Sequence, residues 1–193
     1  MKVHYATEPF TEEVQQSIDK LNTNKSSDEY EISAEHLKNS QELISSFLTK
    51  TFNKILEIRK APTSFKTGVL RPVLKKEKDA TLCTSYRGIT VTPIIGKAFE
   101  YSMLRKLKLT NMTDWQFGFT EGLNPIMASL LISEAKCEKI KISNAINIGI
   151  LDVQSAFDLV QHKILLTKLI DQSIHPTLWL IIKDLYSGLT SKA

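Results

Sequence analysis

Gly68-Val69-Leu70-Arg71-Pro72-Val73-Leu74, then Lys75-Lys76-Glu77-Lys78-Asp79, then Tyr86-Arg87-Gly88-Ile89-Thr90-Val91-Thr92: two apolar, β-rich runs flank a charged connection. Branched residues suit a pleated surface, and a charged link of this kind joins antiparallel strands at a solvated tip. The stretch therefore predicts a hairpin, and the pattern on both sides of it is helical. Upstream, Thr11 caps a helix with Val14, Ile18 and Leu21 at helical spacing, and Asn22 to Glu31 is polar and turn-like. A longer helix is predicted from about Ser33 to Lys60, burying Ile44, Leu48, Phe52, Ile55 and Leu56, with Pro62 just beyond its end.

Downstream, Pro93 opens a helix to about Leu109, and Asp114 to Gly122 is a loop rich in glycine and aromatics. Asn124-Pro125 is a cap and first-position pair for a helix through Lys136. Ile146 to Leu151 alternates like a strand and ends on Asp152; Ser155 to Leu169 and Pro176 to Tyr186 read as the last helices. Helix, hairpin, helix, strand, helix is the order of an α+β domain.

The chain has 193 residues, 42% of them hydrophobic and 24% charged, which suits a folded core and argues against wholesale disorder. Cys83 and Cys137 are the two cysteines, with no histidine at ligand spacing, so neither a disulfide framework nor a zinc knuckle organises the chain. Apolar runs such as Leu178 to Ile182 are far shorter than a membrane span, and Met1 to Phe10 lacks a signal-peptide core. The expectation is an intracellular, reduced, soluble protein with no membrane partner.

The net charge of +4 is unevenly spread. Residues 1–49 carry −5, residues 50–109 carry +10 and residues 110–193 carry −1. A basic middle suits a surface that meets phosphates, because counterions released on binding drive association. A solvated lysine-rich face accounts for the same charge.

Leu151-Asp152-Val153-Gln154-Ser155-Ala156-Phe157-Asp158 is the sharpest local feature. Strand parity sets Asp152 on the face of Ile146, Ile148 and Ile150, where a carboxylate needs an offsetting charge such as a metal ion. Ser155 with Asp158 also fits a capping box, which would make Asp158 a helix-start device and Asp152 a loop residue. Lys75 and Lys76 can grip a triphosphate or merely solvate a tip. Arg87 can fork onto phosphate or form a surface ion pair. Gln116-Phe117-Gly118-Phe119 allows close approach of a strand, or is a turn flanked by two core aromatics. His4, His36, His162 and His175 share no spacing with acids or cysteines and read as structural or exposed.

Together these pieces resemble the reverse-transcriptase domain of non-LTR retrotransposons, the LINE-like and jockey-like elements. The residues that carry the resemblance run in the family's order. They start with Pro9-Phe10-Thr11-Glu12-Glu13-Val14, Asn24-Lys25-Ser26 and Ile32-Ser33-Ala34-Glu35-His36-Leu37-Lys38. Phe65-Lys66, Arg71 to Lys76, Tyr86-Arg87-Gly88-Ile89-Thr90 and Gly96-Lys97-Ala98-Phe99-Glu100 follow, then Gln116 to Phe119, Leu151 to Asp158, and Leu185-Tyr186.

The resemblance implies a partial right-hand polymerase fold: helical fingers with a β-hairpin over about 1–110, and the start of an incomplete antiparallel palm sheet over about 111–193. It implies an RNA-directed DNA polymerase acting on an RNA template, a DNA primer and deoxynucleoside triphosphates with Mg²⁺, in the cytoplasm or nucleus. Asp152 is then the first catalytic aspartate, and the Val153 carbonyl is a second metal donor. Phe157 lies beneath the sugar, Lys75, Lys76 and Arg87 hold the triphosphate, and Gln116 and Gly118 lie against the template.

Two departures stand out. Where the family keeps a turn of the type Lys-Ser-Pro-Gly-Pro-Asp-Gly, this chain reads Lys25-Ser26-Ser27-Asp28-Glu29-Tyr30-Glu31, and a turn that needs positive φ is strained without glycine. The family's second catalytic motif, an aromatic-x-Asp-Asp hairpin, is absent, since no Asp-Asp pair occurs in the 193 residues. One carboxylate does not hold two magnesium ions against their hydration shells, so the chain alone is expected not to polymerise. A non-catalytic nucleic-acid-binding remnant and a decayed reading frame are the alternatives.

Overall fold

The computed structural model describes residue 10 and residues 12–107, 113–120, 122–142, 147–153, 156–157 and 159–192. Thr11, Ile146, Gln154, Ser155, Asp158 and His4, all named above, lie outside the described residues. Among the described residues the chain is mixed helix and sheet, with seven α-helices and one three-stranded sheet. It divides into two compact units, residues 1–108 with 162–193, and residues 109–161.

In the first unit, α1 (Glu12–Asp19) buries Val14 and Ile18, one turn apart, and the Ser17 hydroxyl donates to the Val14 carbonyl at 2.7 Å. The predicted helix from Ser33 to Lys60 is two helices, α2 (Ala34–Asn39) and α3 (Gln41–Ile58). The break is at Ser40, whose hydroxyl donates to the His36 carbonyl at 2.6 Å. Serine competes in this way for backbone acceptors, which a count of apolar positions does not reveal. Arg59, in the left-handed region at φ 56°, ends α3 by donating its N–H to the Ile55 carbonyl.

The hairpin forms as predicted. β1 (Thr67–Leu74) and β2 (Tyr86–Val91) pair antiparallel, from Val69 opposite Val91 to Leu74 opposite Tyr86. After Pro93, α4 (Ile94–Lys106) turns Ala98, Phe99 and Met103 inward. α6 (His162–Asp171) begins later than the predicted Ser155, for Ala156, Phe157 and residues 159–161 are not helical. α7 (Pro176–Leu185) starts where Pro176 fixes the first turn, and the His175 ring accepts the Thr177 N–H at 3.2 Å. A strand not foreseen, β3 (Thr190–Lys192), runs parallel to β1 on the side away from β2. The sheet is therefore mixed, not antiparallel, and it belongs wholly to the first unit.

The core of this unit gathers around three rings. Phe10, Phe52 and Phe99 meet edge to face at centroid distances of 5.0 to 6.3 Å, each fully buried. Leu48 and Ile55 of α3, Leu37 of α2 and Leu178 and Ile181 of α7 close around them.

The second unit consists of a looped segment and α5 (Pro125–Ile142), capped by the Asn124 side chain, which accepts the Met127 N–H at 3.1 Å. The helix runs six residues past its predicted end. None of its residues is buried, and Ile126, Leu130, Leu131 and Ile142 face outward. The predicted strand at Ile146 to Leu151 does not form: Asn147 to Val153 pair with no other strand, and Ile150, Leu151 and Val153 are exposed. Alternation specifies a face, but a strand also needs a partner for its backbone groups, and the described residues supply none here.

Candidate nucleic-acid interface

Strand pairing decides which hairpin side chains meet. Arg71 lies opposite Ile89 and Val73 opposite Arg87, so the two arginines are diagonal neighbours on one face of the β1–β2 ribbon. Both are exposed, and Val73 and Ile89 beside them are exposed as well. A guanidinium pair over an apolar, solvent-facing strip can bind phosphate by forked hydrogen bonds while flanking apolar groups meet sugar or base. Arg71 was quoted above only within a block; strand parity was the signal that joins it to Arg87.

The two lysines at the tip have different fates. Lys75 hands its N–H to the Ser85 carbonyl and its ammonium to the Thr84 carbonyl, both at 2.8 Å, so it closes the loop. Lys76 is exposed, with Glu77 at 3.9 Å its only close acid among the described residues. A bare ammonium of this kind is available to an incoming anion; that of Lys75 is partly committed.

The basic middle of the sequence is also less uniform than its charge suggests. Lys66 is buried and pairs with Asp184 at 2.7 Å, and that carboxylate also accepts the Ala61 N–H at 2.9 Å. Desolvation alone would raise the Asp184 carboxyl. The Lys66 hydrogen bond, the Ala61 N–H and the charges of Lys66 and Lys60 outweigh it and hold the group below its usual range. Lys106 is half-buried, 2.9 Å from Glu13 and over the Phe10 ring. Two of the fourteen cations between residues 50 and 109 therefore hold the fold together.

In the second unit, Gln116 and Gly118 belong to one turn: the Gln116 amide donates to the Gly118 carbonyl at 2.9 Å, and the Thr120 hydroxyl donates to the Gln116 carbonyl at 2.7 Å. Gln116 thus stabilises its own loop. Phe119 is not a core aromatic; it is 93% exposed and stands at φ 59°. Its ring meets Phe157, itself 81% exposed, edge to face at 6.1 Å, so two solvent-facing rings from separate segments of this unit are paired.

Asp152 is exposed, beside the exposed Val153. Among the described residues no group of three His, Cys, Asp or Glu side chains comes together in a way that could hold a metal ion. Asp152 and a Val153 carbonyl are too few donors for Mg²⁺, which demands near-octahedral oxygen coordination, so these residues alone do not make its site. The three described histidines serve the fold: His36 accepts the Ser33 N–H at 3.0 Å at the start of α2, His175 caps α7, and His162 packs on Tyr186.

No family model matches the chain. It is 27% identical over 183 residues, 92% of its length, to the RNA-directed DNA polymerase from mobile element jockey of Drosophila funebris, of which it covers 20%. It is 30% identical over 149 residues to the corresponding polymerase of Drosophila melanogaster, covering 72% of this chain and 16% of that protein. A 115 kDa protein in type-1 retrotransposable element R1DM of Drosophila melanogaster is 32% identical over 78 residues, 39% of this chain and 8% of that protein. The chain is therefore related in sequence to a segment of the polymerases of LINE-like retrotransposons. It spans about a fifth or less of the length of these curated relatives. Among the described residues no helix is long and apolar enough to cross a membrane.

Proposed function

We propose that this chain is the fingers and the beginning of the palm of a retrotransposon RNA-directed DNA polymerase, and that it grips template and primer phosphates through the β1–β2 ribbon. The observation that carries the reading is the likeness to the jockey polymerases across 92% of the chain. The exposed Arg71–Arg87 face supports it, since it offers phosphate recognition where the resemblance implies a nucleotide-facing hairpin.

In this reading Arg87, Arg71 and Lys76 meet phosphates, with Lys75 shaping the tip that presents them. Phe157 and Phe119 give a stacking surface for sugar or base. Gln116 and Gly118 set the loop shape against the template strand. Asp152 and the Val153 carbonyl contribute part of a metal centre, the other ligands of which lie outside the described residues. RNA template, DNA primer and deoxynucleoside triphosphates are the partners, and cytoplasm and nucleus the compartments.

The isolated 193-residue chain should then bind a primed RNA template without extending it. Exchanged for the matching segment of a jockey polymerase, it should support primer extension that Asp152→Asn abolishes. Extension that survives Asp152→Asn in the exchange, or extension by the isolated chain that Asp152→Ala removes, would contradict the division of roles.

A further inference from the structure

Beyond the ribbon, the first unit holds a cleft of about 280 Å³ where the loop after α1, the end of β2 and the start of α4 converge, its floor apolar with Ile32, Ala34, Ile89, Val91 and Ile94 and its rim polar. Asn22, Lys25, Ser26, Asp28, Thr90 and Lys97 are among its lining residues. Asp28 is the only acid in the lining, and its carboxylate is already engaged. One oxygen accepts the N–H groups of Tyr30 and Ile32 at 2.9 and 3.0 Å; the other accepts the Ile94 N–H at 2.9 Å. Three donors leave that charge little capacity for a cation in the cleft.

The two lysines are differently placed. Neither ammonium forms an ion pair within 4 Å among the described residues. Lys97, in the first turns of α4, is half-buried and feels the Glu100 carboxylate only at longer range; Lys25 is exposed on the loop. Two unpaired cations, the hydroxyls of Ser26 and Thr90 and the Asn22 amide line a recess whose one acid is saturated. Such a set of donors suits the oxyanion of a phosphate group, including the single charge of a phosphodiester.

We infer that this cleft binds one phosphodiester of a nucleic-acid strand, with Lys25 and Lys97 as its cationic jaws and Ser26 and Thr90 as hydroxyl donors. The inference rests on the nucleic-acid reading above and extends it to a second contact point. The cleft begins at the far end of the strand that carries Arg87. Arg87, Ile89 and Val91 share one face of β2, and from Arg87 to Val91 is about 14 Å along the strand, so a single strand laid on that face reaches the edge of the cleft.

The test is fluorescence anisotropy of a labelled single-stranded RNA with the full chain over a range of salt. In the Lys25→Gln/Lys97→Gln variant, affinity should fall about tenfold, as for lost charge-assisted hydrogen bonds. The slope of log K against log salt should become shallower by about 0.7, the value of one phosphate contact on a single strand. Lys25→Gln alone, in an exposed loop, should give a smaller loss with an unchanged thermal melt. Added inorganic phosphate should shift the amide resonances of Ser26 and Lys97. Unchanged affinity and slope in the cleft variants, while Arg71→Gln/Arg87→Gln still weakens binding, would overturn the cleft and leave the ribbon standing. Loss confined to binding of a free nucleoside triphosphate would also overturn it. An unmodified chain that does not bind RNA would overturn both readings.

Discussion

Glu31 shows how much one residue can reveal. It stands at φ 60°, in the left-handed region, at the position where the resembling family ends its early turn in glycine. The sequence made the missing glycine visible, and in the structure the glutamate itself takes the left-handed conformation. A side chain there costs on the order of 1 kcal/mol, so Glu31→Gly should stabilise the first unit by about that amount in a denaturant melt. Asp184 shows the opposite limit, because nothing local marks it as the partner of Lys66, 118 positions earlier in the chain. Asp184→Asn leaves the Lys66 ammonium buried without its counter-charge and should cost about 3 kcal/mol. The sign of its pH dependence follows from the lowered carboxyl. The contribution is complete above the unfolded value near pH 4 and is lost as pH falls further toward the folded value. The unmodified chain should therefore lose stability below about pH 4 more steeply than the Asn variant, as thermal melts across that range will read.

At the scale of elements, the hairpin was the most legible feature because each of its signals is local: branched residues, a charged link and alternation. Its closest packing sits at Gly68. A Cβ there would lie 2.5 Å from the Thr90 methyl and 3.0 Å from the Val91 carbonyl oxygen, and the latter is backbone that cannot turn aside. Gly68→Ala should destabilise the β1–β2 ribbon by about 1 to 3 kcal/mol, measured by denaturant unfolding, and should weaken RNA binding with it. Elements that depend on distant partners were less legible. The break at Ser40 rests on a hydroxyl choosing a carbonyl, and β3 rests on finding the free edge of β1. The alternating run before Asp152 has the pattern of a strand yet pairs with nothing among the described residues. The candidate site divides in the same way. Arg87 and Lys76 are exposed as chemistry requires, Lys75 is half-committed to its own loop, and Arg71 became visible only once the register was known.

Over the whole molecule, burial is concentrated in the first unit, where α1, α3, α4 and α7 enclose the three phenylalanines. The second unit has no buried residue among those described, and its apolar side chains on α5 and around Asp152 lie open. Charge follows a related division of labour: Lys66 and Lys106 brace the core, while Arg71, Lys76, Arg87 and Lys25 remain outside it. Composition could count these cations but could not sort them, since the sorting depends on which carboxylates the fold brings near. The central claim is that the outer set meets a nucleic-acid backbone. Its most direct test is the salt dependence of binding between the 193-residue chain and a primed RNA template. The account predicts affinity that falls steeply and log-linearly with salt, with a slope made shallower by Arg71→Gln/Arg87→Gln. Affinity that does not change between low and moderate salt, or that the arginine substitutions leave untouched, would contradict it.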